Sequence, residues 1–394
     1  MERRPRIRDQ KCVAFTCVWI SGINSAVAVA LSPALPGMAT ELDAGKNGQL
    51  LAQMIQTLPA IGMMLGAAFA GYFSERLGRR AVLLLAVALF TLSGAVCFIA
   101  PDLTTLVISR AVQGVVAGVM LTTSYAIVAE YFSGPAQLRM LGFCGGAGAF
   151  SSILILFAAG PMVDLFGWRS VFLLFLLAAV AMPFAFAGMH PGLPQTGARA
   201  QLSWRPILAL WPVWLLQILF TIAMFMSVIQ VPFLASAKGI ASGSMISVLV
   251  ATTSVSATFV AIFHGAIRRF LDVQGMFVLM SLAFGAGLLV CGIAGSLPLF
   301  LFGAVMLGVG AGSVEPTIMS RAFARTPELL HDRVAGAAIA TLYAGQFLNP
   351  IVVHPVTAIG GIEYAARMIG LVYLAAALLF LARGFTYARR RVPA

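Results

Sequence analysis

Charge is what this sequence has least of. Only 10% of its 394 residues are Asp, Glu, Lys or Arg, whereas 60% are hydrophobic; soluble domains carry roughly 25% charged residues. A water-soluble fold of this length needs a charged surface, and this composition cannot supply one. Histidine is nearly absent, at 4 residues, which leaves little material for a metal cluster or a catalytic dyad. The 5 cysteines, at 12, 17, 97, 144 and 291, lie in apolar runs without paired metal-ligand spacing. They read as small buried hydrophobes, not as ligands or disulfides. No Walker sequence is present, which argues against direct ATP coupling. The Gly308-Val-Gly310-Ala-Gly312 run sits in an apolar stretch and reads as packing.

What is present in quantity is long uncharged sequence. No Asp, Glu, Lys or Arg occurs in 12–40, 47–74, 81–101, 111–129, 140–163, 170–198, 206–237, 239–267, 273–314 or 334–362. A helix crosses a bilayer core with about 20 apolar residues, so nearly every run is long enough and 273–314 suffices for two. A shorter candidate follows at 368–382. So many runs in series exclude a single signal peptide ahead of a soluble domain. The first, from Cys12, has no convincing small-residue cleavage site and is expected to be retained. The fold class that follows is an all-α membrane protein with helices near 12–36, 48–71, 80–100, 104–130, 138–162, 169–189, 207–234, 243–267, 274–296, 298–323, 335–357 and 364–386.

The net charge of +12 would suggest a nucleic-acid partner in a soluble protein. Here the placement points instead to membrane orientation, because Lys and Arg favour short cytoplasmic loops. With the N-terminus inside, the inner segments hold Arg3, Arg4, Arg6, Arg8, Lys11, Arg76, Arg79, Arg80, Arg139, Arg199, Arg205, Arg268, Arg269, Arg321, Arg325, Arg333, Arg383, Arg389, Arg390 and Arg391. The outer loops hold only Lys46, Arg169, Lys238 and Arg367, and Arg110 lies within a span. Both termini are therefore expected in the cytoplasm of a bacterial inner-membrane protein. Lipid is the implied surroundings and nucleic acid is not an expected partner.

The longest polar linker, 191–205, separates residues 1–190 from 206–394. Shifting the chain by 194 residues pairs Gly71 with Gly265, Gly114 with Gly308, Gly118 with Gly312, Arg139 with Arg333, Gly142 with Gly336, Pro161 with Pro355 and Gly167 with Gly361. Pairs in this order at one offset indicate two pseudo-symmetric six-helix bundles. In one known transporter architecture such parallel repeats hold the substrate near the midplane.

The stretch after the second run reads Gly71-Tyr-Phe-Ser-Glu75-Arg76-Leu-Gly78-Arg79-Arg80. It resembles the signature loop of the major facilitator superfamily, with Glu75 where Asp is more usual. A small residue such as Gly71 allows close helix approach, and Gly78 permits the turn. The resemblance implies that Glu75 and the neighbouring basic residues make charge contacts in one access state and break them in the other. Orientation by positive charge alone is the simpler reading. Arg110-Ala-Val-Gln113-Gly114-Val-Val-Ala-Gly118 resembles a second motif of that superfamily, in which the intramembrane Arg assists proton coupling. An Arg within a span costs roughly 2.5–3.5 kcal/mol on insertion scales, so it has a role or a partner, or else it snorkels. Gly167-Trp168-Arg169 also matches the twelve-helix drug–proton antiporter type, but Ile155-Leu156 and Ala159-Gly160 replace the Gly-Pro and Gly-Gly expected before it. Gly145, Gly146 and Gly148 are expected to take over the close packing.

The remaining candidates are polar residues inside spans. Glu315, ahead of Pro316, is the best-placed acid for proton coupling, since a carboxyl away from water holds a proton more readily. A structural hydrogen bond, or a position nearer the cytoplasmic end of the helix, is its alternative. Glu130 and Asp164 are expected at interfaces, and His264 and His354 to be packed or interfacial. Asn24, Gln53, Gln56 and Gln113 in the first half, with Gln217, Tyr343, Gln346 and Asn349 in the second, form a neutral set. It is either a substrate-contacting surface or interhelical glue. Together these features imply a secondary transporter, functional as a monomer and without a cofactor, moving a small organic molecule. Proton-coupled efflux is the leading reading and proton-coupled uptake of an organic anion the close rival. A membrane enzyme and a non-transporting sensor are the remaining classes.

Overall fold

The computed structural model describes residues 7–42, 47–190, 205–327 and 330–389. Residues 191–204 of the linker, Arg3, Arg4, Arg6, Lys46, Arg199, Arg390 and Arg391 lie outside the described residues, as do the side chains of Arg8, Arg383 and Arg389. The described residues are built from helices, in two compact units, Met1–Gln201 and Leu202–Ala394.

In the first unit α1 runs Ile7–Val29 and continues through a tight turn, Ser32–Ala34, into a short helix, Leu35–Leu42. The break has a local cause: Pro33 carries no N–H to bond the carbonyl of Val29. Then follow α2 (Gly48–Leu77), α3 (Arg79–Ile99), α4 (Leu103–Tyr131) and α5 (Gly134–Phe166). The sixth, α6 (Trp168–Gly188), is wound tightly over Trp168–Val180. The second unit holds α7 (Trp211–Ile229), α8 (Gly243–Ile267), α9 (Val273–Ile293) and α10 (Leu297–Phe323). The last helical stretch, His331–Arg389, breaks at Gly360 and Gly361, giving α11 (331–359) and α12 (362–389). Among the described residues 11 stretches are long and apolar enough to span a membrane. The last of them contains that break, so it crosses twice and each unit supplies six spans.

Helix ends depart from the hydropathy reading where the chain leaves the apolar layer. The Gly71–Arg80 stretch is not a loop: α2 continues helically to Leu77 and α3 starts at Arg79. Gly78 alone turns the chain, at φ 79°, its N–H bonding the carbonyl of Ser74 at 3.0 Å. Likewise α5 runs to 33 residues, past the expected 138–162 at both ends. Hydropathy marks the part of a helix that meets lipid, whereas backbone hydrogen bonding carries on into the polar interface.

The packing inside each unit explains the 194-residue repeat. In the first, α2 and α4 cross where Gly62 and Gly66 face Gly114 and Gly118; a Cβ on Gly114 would lie 2.4 Å from the carbonyl oxygen of Pro59, and one on Gly118 2.3 Å from that of Met63. In the second, α8 and α10 cross in the same register: a Cβ on Gly308 would lie 2.5 Å from the carbonyl oxygen of Thr253, and one on Gly312 2.1 Å from that of Ala257. Adding 194 to Pro59 and Met63 gives Thr253 and Ala257. Small residues are retained because only they let two helix backbones come this close. The α5–α6 and α11–α12 junctions also match, with Gly167 at φ 78°, ψ 170° and Gly361 at φ 81°, ψ 176°. Both lie in a region where a side chain would clash. The expected close packing at Gly145, Gly146 and Gly148 is not made: a Cβ on Gly145 or Gly146 would meet open space, and one on Gly148 only ordinary contact.

Candidate functional site

Arg110 is fully buried in the first unit. Its Nε donates to the carbonyl oxygen of Ile55 in α2 at 3.1 Å, and one terminal nitrogen donates to Gln113 Oε1 at 2.5 Å. The guanidinium lies 5.6 Å from the centre of the Phe175 ring on α6. It therefore points into the bundle core between α2 and α6 and does not snorkel. No carboxylate among the described residues pairs with it, and its other terminal nitrogen, like Gln113 Nε2, has no partner there. A buried cation balanced only by dipoles and a ring face is held at considerable cost.

The other amides of this unit bond backbone on neighbouring helices. Asn24 Nδ2 donates to the carbonyl oxygen of Ala117 at 3.0 Å, tying α1 to α4. Gln56 Nε2 donates to that of Ala28, near the end of α1. Gln53 is buried beside them, at 1% exposure. In the second unit Gln217 is closed on both sides, donating to Ala338 O at 2.8 Å and accepting from Thr341 Oγ1 at 2.8 Å. Asn349 donates to Ile222 O at 2.8 Å and accepts from Gln230 Nε2 at 3.1 Å. Gln346 is buried with its oxygen unpartnered, and Tyr343 is half-buried on the same helix. Asn24, Gln56, Gln113, Gln217 and Asn349 thus each make a structural hydrogen bond, and Gln56 Oε1, Gln113 Nε2 and Gln346 Oε1 retain free capacity.

Glu315 differs from all of these. It sits inside α10 with an exposed side chain and makes no hydrogen bond or ion pair among the described residues. The structural hydrogen bond that was its alternative reading is absent among them. His264 is buried in the last turn of α8, whereas His354 is half-buried.

At the α2–α3 corner Glu75 and Arg76 are exposed, and Gly71 is half-buried one turn before them. Arg76 lies over the Tyr72 ring at 4.4 Å. Arg79 pairs with Glu130 at 2.8 Å and donates to Ala126 O at 3.1 Å, fastening α3 to the end of α4. Arg80 donates to Phe186 O at 3.0 Å and covers that ring. Glu130 is therefore an acid that Arg79 uses within this unit, a pairing that sequence distance concealed.

Two further charge contacts escaped the sequence reading. Glu41 takes Trp168 Nε1 at 2.5 Å and pairs with Arg169, joining the end of the α1 extension to the start of α6. In the second unit Lys238, at the end of the short helix Val231–Ala237 that follows α7, pairs with Glu363 at 3.2 Å at the start of α12. Glu363 is the repeat position of Arg169, and Lys238 lies three residues past that of Glu41, so the two units build a comparable link with opposite charges. The Gly-Trp-Arg motif flagged one end of this link, but nothing in the sequence named its partner.

The chain matches the Major Facilitator Superfamily over residues 14–269. It belongs to that superfamily. A methylenomycin A resistance protein of Streptomyces coelicolor is 35% identical over 119 residues, 30% of this chain and 25% of that one. The niacin transporter NiaP of Acinetobacter baylyi is 33% identical over 131 residues, 32% of this chain and 29% of its own. The matched stretches thus span less than a third of the curated relatives. The crystal structure of the human organic anion transporter MFSD10 superposes over 94% of this chain and 99% of that one, with a TM-score of 0.66 at 18% identity. It establishes the shared fold. The chain is thus a multi-pass membrane protein of the major facilitator fold.

Proposed function

We propose that the protein is a secondary transporter of a bacterial inner membrane, exporting a small organic molecule in exchange for protons by alternating access of residues 1–190 and 206–394. The observation that carries this reading is the division of charge. One unit buries Arg110 without a carboxylate partner, and the other exposes Glu315 inside a spanning helix. Ionisable groups within spans face a bundle interior or a water-filled cavity; the burial of Arg110 supports the first place for it, and the exposure of Glu315 supports reading it in the second. Proton coupling would use this pair. Gln56, Gln113 and Gln346, with free amide atoms, and Asn24, Gln53, Gln217, Tyr343 and Asn349 around them, would shape the substrate path. The corner Gly71, Glu75, Arg76, Gly78, Arg79 and Arg80 would serve as the gate. Both termini would lie in the cytoplasm, and one copy of the chain would suffice.

Export is favoured by the resemblance to a resistance protein, whereas the likeness to a niacin transporter supports the rival, proton-coupled uptake. The deciding experiment places the purified protein in liposomes containing a pH-sensitive dye and imposes a pH gradient. Ethidium and nicotinate serve as probes of the two substrate classes. Movement of a probe against the proton flow supports exchange; co-movement with protons replaces it with symport.

A further inference from the structure

We infer that Pro59 is a positioning residue for Arg110: by removing one backbone N–H it opens the carbonyl of Ile55, the acceptor that holds the guanidinium. In an α-helix the carbonyl of residue 55 bonds the N–H of residue 59, and proline has none. Ile55 O is therefore orphaned inside α2, in a bundle core where an unmatched carbonyl is costly. Arg110 Nε occupies it at 3.1 Å. The reach is possible because Gly114, one turn further along α4, lies directly against the backbone of Pro59.

The repeat supplies an internal control. Position 253, equivalent to Pro59, is Thr, which has an N–H of its own and whose hydroxyl also points at Leu249 O, at 3.5 Å. Position 304, equivalent to Arg110, is Ala, fully buried at the same kind of crossing. The crossing itself is preserved to within a few tenths of an ångström. Packing therefore demands neither the proline nor the arginine. They occur together in one unit and are absent together from the other, as an acceptor and its donor should be.

The inference deepens the coupling role proposed for Arg110 but is tested without transport. Pro59→Ala is made in the native chain and in an Arg110→Leu chain, and thermal unfolding is followed in each. Pro59→Ala restores the N–H that recaptures Ile55 O. In the Arg110→Leu chain it only repairs α2 and should raise Tm. In the native chain the same repair displaces Arg110, so the gain should be smaller by about 2–4 °C, or reversed. Pro161→Ala, a change at another in-helix proline, should shift Tm equally in both backgrounds. Pro59→Ser restores the same N–H and serves if the alanine variant does not fold. An equal shift for Pro59→Ala in both backgrounds overturns the inference, whatever the flux assay shows. Conversely, loss of coupled flux in Pro59→Ala with normal flux in Arg110→Ala would also overturn it.

Discussion

The two six-helix units share a skeleton and differ in chemistry. Their helix crossings fall at the same register and their α5–α6 and α11–α12 junctions take the same glycine conformation. Yet the first buries a cation where the second has Ala304, and the second exposes Glu315 where the first has Leu121. Shared features mark what the bundle needs in order to pack. Features confined to one unit exceed that need, and function is to be sought among them.

The largest expected effect tests the residue that most separates the units. Arg110→Ala should reduce proton-coupled flux to the level of empty liposomes. It leaves Ile55 O without its donor, at about 1–3 kcal/mol, so the protein should still purify folded. Full flux in that variant would remove Arg110 from the coupling role. Glu315→Gln should have a narrower effect, because a neutral amide keeps the size and loses only the titration. Flux driven by a pH gradient should fall steeply, while exchange of labelled for unlabelled probe at equal pH persists. A pH-driven flux that survives would place the proton site elsewhere and leave the units less distinct than proposed.

A third prediction tests the shared skeleton. Gly118→Ala and Gly312→Ala should each lower thermal stability by a similar amount, about 1–3 kcal/mol, since each Cβ runs into the backbone of the facing helix. Gly146→Ala, in open space, should change it by less than about 0.5 kcal/mol. A large cost at Gly118 with none at Gly312 would show that the second crossing relaxes more readily than its geometry implies.

How much of this was legible in the sequence depended on the range of the signal. The spans were, because charge-free runs are local and nothing else accounts for their length. The repeat was, because glycines at tight crossings leave an ordered trace at one offset. Helix ends were not: Gly71–Leu77 is polar enough to read as a loop, yet its backbone has no reason to stop before Gly78. The amide partners were invisible in principle, since Asn24, Gln56, Gln217 and Asn349 donate to backbone carbonyls that every residue carries. Pro59 stood in plain view, but its meaning depended on which helix brought an arginine to residue 55.

The smallest predicted effect concerns the outer links, where the units mirror one another in shape and invert in charge. Glu41 and Lys238 hold corresponding helix ends to Arg169 and Glu363. The Glu41 and Arg169 side chains are 50% and 38% exposed, so water screens the attraction and that link is worth only about 0–1 kcal/mol. If charge order is immaterial to the fold, the double exchange Glu41→Arg with Arg169→Glu should restore most of the stability that either single change removes. Trp168 sets a limit, because its Nε1 donor also uses Glu41 and would be left facing a guanidinium after the exchange. The Lys238→Glu and Glu363→Lys exchange has no such tryptophan, so its recovery should be the more complete. Equal recovery on both sides would mean the indole bond contributes nothing, and the two links would then differ in sign alone.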